Sequence, residues 1–327
     1  MPLTRARFIA AAAALAVGAA PNRGAAAVPE QAKPRFPIPP GACDCHVHVF
    51  DPERFPYSPR RSYTPGPATV DDLLAFAGRV GVDRLVVVQP SPYGADNACL
   101  LAALGRLGDR ARGVAVIDPE RTPDSELDAL DRAGVRGARV NLEAQGDRDP
   151  ASAARALDAV SRRVAGRGWH VQTYAGLHVI AALADRIAAL PVPLVADHFA
   201  GARAEGGTGQ PGFAALVDLL GSGKLYVKLS APYRSSRQEP GYEDVAALAR
   251  ALIEVAPERM VWASDWPHTG GGATGSNDRA GRGLSSIEPF RQVDAPRILA
   301  LLAQWCGDEG AWRRILAETP ARLYGFT

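Results

Sequence analysis

From residue 41 onward the chain alternates between short apolar runs and longer spacers that read as helices. The short runs are ACDCHVHVF (42–50), RLVVVQPS (84–91), RGVAVID (112–118), VRGARVNL (135–142), WHVQTYA (169–175), PLVADHFA (193–200), LYVKLSAP (225–232) and RMVWASDW (259–266). Several are almost continuously apolar, as expected of strands buried on both faces. The spacers cover 69–80, 96–107, 123–133, 151–166, 177–189, 212–221, 242–256 and 294–304. Some start after Thr, Asp or Pro and stop near Gly, as in Thr69…Gly81, Pro150…Gly166 and Gly212…Gly221. Eight strand–helix units over 42–327 predict an α/β fold, a single (β/α)8 TIM barrel. The other α/β solution, an open doubly wound sheet, would carry a Gly-rich dinucleotide turn after its first strand, and none is present. There is also no P-loop and no repeat of 20–50 residues.

A barrel of this kind does its chemistry at the C-terminal ends of its strands. The polar residues fall there: His46 and His48, Ser91, Arg139 and Asn141, Tyr174, His198, Ser230 with Arg234, and Asp265. Surface solvation does not explain why they recur at one end of successive strands. In the first run, strict alternation would put Asp44, His46 and His48 on one face, with Cys43, Cys45, Val47 and Val49 on the other. His170, near a strand start, and His178, on the following helix, read as structural. His268, just past Asp265, is open to either reading.

Composition narrows the class further. The chain is 47% hydrophobic and 22% charged, with a formal charge of +2, so no basic field points to nucleic acid or an anionic membrane. Four cysteines do not make a disulfide scaffold; Cys43 and Cys45 read as thiols, and Cys99 can meet Cys306 only if the fold brings them together. Residues 1–27 place Arg5 and Arg7 ahead of an apolar run from Phe8 to Ala20 and an Ala25-Ala26-Ala27 site, the order of a signal peptide. TRARF is similar to a twin-arginine motif with its arginines separated by Ala6. Residues 28–41 read as a proline-rich linker, and the expected location is outside the cytoplasm, in the periplasm. No other run is long enough to span a bilayer.

Together, CDCHVHVF, ADHFA, WASDWPH and the closing TPARLYGF resemble the amidohydrolase superfamily, specifically its amidohydrolase-2 branch. QPSPYGADN, GVRGARVN, GWHVQTY and VKLSAPYR are most similar to the 2-pyrone-4,6-dicarboxylate lactonase group. The resemblance runs from residue 41 to the end and implies hydrolysis of a small anionic lactone, pyrone dicarboxylate-like or muconolactone-like. Carried over by position, it implies Asp265 as the base that activates water, with His46, His48 and His198 around the carbonyl. It implies substrate contacts from Ser91, Arg139, Tyr174 and Arg234. Two departures stand out: Gln145 and Gly201 occupy places where that group carries arginines. Losing two carboxylate clamps points to a lactone with fewer carboxylates, or with a sulfonate.

The chemistry is coherent without the resemblance, because ester hydrolysis needs a base for water and a group that stabilises the oxyanion. His46, His48, His198 and Asp265 are also a possible zinc set. Metal-dependent relatives add a lysine or acid at strand four and a histidine at strand five, where this chain has Arg139 and Tyr174. Arg139 beside a dication is unfavourable by several kcal/mol at an effective dielectric of about 20, so the reading favours a metal-independent site. Arg139 suits bidentate binding of an anion instead. The run 269–286 reads as a surface loop, or as a lid bringing Arg279 or Arg282 to the substrate. Two other functions remain: a metal-dependent decarboxylase of an aromatic or unsaturated acid, and a solute-binding barrel without catalysis.

Overall fold

The structure, a computed structural model, describes residues 33–145, 149–270 and 283–327. The expected signal peptide, Arg279, Arg282 and the side chain of Gln145 lie outside the described residues. Eight parallel strands form one sheet in sequential order: β1 (Cys43–Val47), β2 (Arg84–Val88), β3 (Ala111–Ala115), β4 (Val135–Asn141), β5 (His170–Tyr174), β6 (Leu194–Ala196), β7 (Leu225–Ser230) and β8 (Met260–Ala263). Each of the eight predicted runs coincides with one strand, mostly shorter than the run; β3 begins one residue earlier, at Ala111. The helices between them bury apolar faces against the sheet, so this is the predicted single (β/α)8 barrel. Among the described residues, no helix is long and apolar enough to cross a membrane.

Local sequence explains the element ends. Thr69 caps the helix Val70–Val80: its side chain accepts from Asp72 N, and the Asp72 carboxylate accepts from Thr69 N. Gly81 then ends the helix at φ 84°, a conformation that costs glycine nothing. Residues 33–41, read as a linker, pack onto the barrel's last helices: Trp312 Nε1 donates to the Pro37 carbonyl at 2.8 Å, and the Phe36 ring lies 6.3 Å from that indole. All four cysteines are buried free thiols.

The barrel closes through a side chain. The Asp44 carboxylate accepts the Ser264 N–H at 2.9 Å, taking the place of a backbone carbonyl. Asp265 N then donates to His46 O at 3.0 Å, and His48 N to Trp266 O at 2.9 Å. The β1–β2 register shifts between Asp44 and Val47. That shift corrects the alternation reading. Cys43 and Cys45 pack inside the barrel with Val86, Val88, Val114, Val261 and Ala263, whereas Val47 and Val49 belong to the core beneath the helices. Two thiols and, one step on, two imidazoles therefore face the same lumen. Tyr324 closes the opposite end, its ring 5.2 Å from that of His170 in an edge-on contact.

Candidate active site

At the C-terminal end of the lumen, three imidazoles converge on one carboxylate oxygen. His46 Nε2 lies 3.7 Å from Asp265 Oδ1, and His48 Nε2 and His198 Nε2 each lie 3.9 Å from it. His46 Nε2 and His48 Nε2 are 3.3 Å apart. The other carboxylate oxygen, Oδ2, accepts from Tyr233 Oη at 2.8 Å and from Arg234 Nε and Nη2 at 2.9 and 2.7 Å. Asp265 is held at φ 65° where the strand breaks into its loop, which turns the carboxylate into the lumen. None of the four residues lies at an exposed rim: His48 is 4% accessible and the others less.

The electrostatics follow from this burial. Dehydration alone would raise the Asp265 pKa, but Arg234 and the surrounding imidazoles more than offset it, and the group sits well below the usual carboxylate range. The same dehydration lowers His48 and His198 to about 4 and His46 well below its ordinary value. At neutral pH the site is thus an ionised carboxylate among three neutral imidazoles. His48 Nδ1 sits 2.7 Å from the Val88 carbonyl, which only accepts, so His48 carries its proton there and presents a bare Nε2. His198 Nδ1 lies 2.9 Å from Ser230 Oγ.

Beneath the histidines is a buried charged layer that the sequence reading missed. Lys228, fully buried on β7, donates to Gln172 Oε1 at 2.7 Å and contacts His46 Nδ1 at 3.2 Å. Asp197 lies 3.3 Å from the same ammonium and accepts from Gln172 Nε2 at 3.1 Å. Burial would raise the Asp197 pKa, yet Lys228 and His46 hold it well below the ordinary range. The available signals were a lysine inside the apolar run LYVKLS and the acid directly before His198.

The expected substrate residues divide. Arg139 Nη1 donates to the Gln89 carbonyl at 3.2 Å, and its Nη2 lies 3.7 Å from Asp197. Arg139 and Arg234 are thus both paired with carboxylates. Tyr174 packs edge-on against His198 at 4.8 Å, and the Arg234 guanidinium lies 5.8 Å from the Tyr174 ring. Ser91 accepts from Asn141 Nδ2 at 3.0 Å. A cleft of about 300 Å³ opens over the site, lined by Tyr174, His198, Gly201, Arg203 and Arg234. Exposed His178 also lines it; His170 is structural, buried against Tyr324, with burial lowering it to about 3. His268 is buried beside Tyr233, 3.4 Å from its hydroxyl.

The convergence of imidazoles and a strand-end aspartate in a parallel barrel, with these flanking words, accords with the sequence comparison. The Amidohydrolase family profile matches residues 43–326. The chain belongs to that family. It is 33% identical to a 4-sulfomuconolactone hydrolase of Hydrogenophaga intermedia, over 89% of this chain and 91% of that protein. It is 36% identical to a 2-pyrone-4,6-dicarboxylate hydrolase of Comamonas testosteroni, over 72% of this chain and 80% of that protein. An apo crystal structure from Agrobacterium tumefaciens superposes with a TM-score of 0.73 at 29% identity, covering 90% of this chain and 99% of that one.

Family members of this kind can hold a metal. His46, His48 and Asp265 form one group able to hold a metal ion, and His46, Asp197 and His198 another. His48 Nε2 and Asp265 Oδ1 are bare donors, and His198 Nε2 is bare when its Nδ1 donates to Ser230. Both groups include His46, so a divalent ion such as zinc fits the donor types but needs His46 as a ligand. His46 joins His48 and Asp265 only in the tautomer whose proton is on Nδ1.

Proposed function

We infer that the chain is a hydrolase that opens a small anionic lactone. The observation that carries this reading is the convergence of three imidazole nitrogens on Asp265 Oδ1, an ionised oxygen beside polar donors at the barrel mouth. In this reading Asp265 accepts a proton as water attacks the lactone carbonyl. An imidazole N–H donates to the developing oxyanion, and the ring C–O bond breaks with the proton passing to the leaving oxygen. The product acid ionises, so each turnover releases one proton to solution.

Arg234 links binding to basicity. It lines the cleft and also holds Asp265 Oδ2. A substrate carboxylate or sulfonate that draws the guanidinium outward would leave Asp265 a stronger base. Arg139, Ser91 and Tyr174 complete the proposed substrate contacts. With Gly201 in the cleft wall, a lactone with fewer carboxylates, or with a sulfonate, suits the pocket better than a dicarboxylate, in keeping with the name of the Hydrogenophaga relative but not with that of the Comamonas one. A divalent ion, when bound by His46 in its alternate tautomer with His48 and Asp265, would polarise the lactone carbonyl. The leader sequence supports a mature enzyme that starts near Val28 outside the cytoplasm, which N-terminal sequencing checks.

The deciding experiment is proton release against a panel of muconolactones, a sulfonated muconolactone and a pyrone dicarboxylate, with and without chelator. Stoichiometric acid release from an anionic lactone supports the reading. Release of CO2 from an unsaturated acid, dependent on added metal, would replace it with the decarboxylase. Tight binding without turnover would make the chain a solute-binding barrel.

A further inference from the structure

Lys228 is a cation placed where the fold gains nothing from it. It is fully buried mid-strand on β7, behind the imidazoles rather than in the cleft. Dehydrating an ammonium is costly unless each proton has an acceptor. Three acceptors surround Nζ: Gln172 Oε1 at 2.7 Å, His46 Nδ1 at 3.2 Å and Asp197 Oδ1 at 3.3 Å. An ammonium has only donors, so the contact to His46 requires a lone pair on Nδ1. Asp197 Oδ1 lies 3.2 Å from that same nitrogen and 3.3 Å from Nζ; the ammonium supplies its proton, which leaves the lone pair on Nδ1.

The far side of the ring gives the same answer independently. His48 has its proton on Nδ1, facing the Val88 carbonyl, so its Nε2 is bare. His46 Nε2 stands 3.3 Å away. Two bare nitrogens at that distance would set lone pair against lone pair. One proton resolves the contact, and of these two rings only His46 has a nitrogen free to carry it.

We propose that Lys228 is a positioning residue that holds His46 as the Nε2–H tautomer, making His46 the donor to the reacting carbonyl oxygen and disfavouring metal capture at that nitrogen. The donor role rests on the lactone-hydrolase reading; the tautomer does not. Metal-ligating histidines usually give their second N–H to a carboxylate or carbonyl; here the Asp197 carboxylate shares that place with a cation.

The test is ¹⁵N-histidine NMR of the full chain after chelator treatment, with His46 assigned by the resonances lost in His46→Gln. Wild type is expected to show His46 Nε2 protonated and Nδ1 bare. A protonated Nδ1 on His46 would overturn the proposal, and this spectrum needs no Lys228 variant to fold. In Lys228→Met the Nδ1–H form, facing Asp197, should gain population, since only the His48 contact then opposes it. Zinc affinity, read by competition with a chromophoric chelator, should then rise at least tenfold, and kcat should fall with KM within about twofold. Lys228→Gln, which keeps a donor, should retain the wild-type tautomer. Unchanged zinc affinity in a folded Lys228→Met would equally overturn it. The spectra decide the tautomer whether or not any lactone is turned over, so the two readings fail on different measurements.

Discussion

Arg234 binds Asp265 with two nitrogens on one oxygen, Nε at 2.9 Å and Nη2 at 2.7 Å, and leaves Oδ1 to the three histidines. This division of the carboxylate keeps it ionised while reserving one oxygen for water. Lysine has a single charged nitrogen and cannot reproduce the fork. Arg234→Lys is expected to lower kcat/KM by about one to two decades, the scale of a lost charge-assisted bond. It should also move the acid limb of the pH–rate profile upward, because Asp265 loses part of what holds its pKa down. An unshifted limb would mean that Arg234 does not tune the base.

Asp265→Asn should abolish turnover while substrate still binds. A strand-end position does not make this change structurally harmless. Asp265 is buried, so the substitution removes the carboxylate charge that Arg234 faces, and breaking a buried ion pair costs about 3–5 kcal/mol. A urea titration should show that loss, and ligand calorimetry should show retained affinity. Turnover near wild type would end the assignment of Asp265 as the base.

Acid stability follows from the histidines. His48, His198 and His268 are held at about 4, His170 at about 3 and His46 well below normal, each chiefly by burial. Below the ordinary value of about 6.5 the unfolded chain takes up protons that the folded one refuses, so stability falls as pH drops from there toward 4. Asp44 has the opposite sign. Burial raises its carboxyl to about 7, so its contribution is complete below about 3.8 and fades as pH rises through 7. Five imidazoles against one carboxyl give a net uptake of about four protons on unfolding at pH 5, measurable from urea midpoints against pH. His170→Leu should remove one of them without touching the site. A slope near zero would mean these rings are charged in the folded protein.

Gly201 explains why an arginine cannot simply be restored there. Its φ is 73°, and an added Cβ would lie 2.4 Å from the Ala175 carbonyl. Gly201→Arg is therefore expected to cost more than the roughly 1–3 kcal/mol of backbone strain alone, and to gain no activity on a dicarboxylate lactone. A melt within a degree or two of wild type, with new dicarboxylate turnover, would contradict this.

Asp44→Ala removes the acceptor for Ser264 N and should cost about 1–3 kcal/mol while loosening the placement of His46 and Asp265. Asp44→Asn keeps an oxygen there and should cost less, with the Asp44 share of the pH dependence gone. Equal losses in the two variants would argue against the hydrogen bond as the cause.

The barrel was legible because its strands are apolar on both faces and its helices carry caps such as Thr69 and Gly81. His46, His48, His198 and Asp265 were legible because strand ends put them together. Three things were not. The register shift in β1 leaves no mark on the alternation, so Cys43 and Cys45 were assigned to the wrong face. Lys228 stood in an apolar run, where only its pairing with Asp197 and His46 explains a buried charge. The pairing of Arg139 and Arg234 with carboxylates depends on which strands are neighbours, which composition and spacing do not specify.

Asp44 and Ser264 are 220 residues apart in the chain and meet only when the ring of strands closes. On the ribosome, the first strand emerges with both its histidines long before the aspartate they face has been synthesised. No partial chain that ends before Asp265 can assemble the reactive carboxylate among its imidazoles, so every such product of translation is catalytically silent.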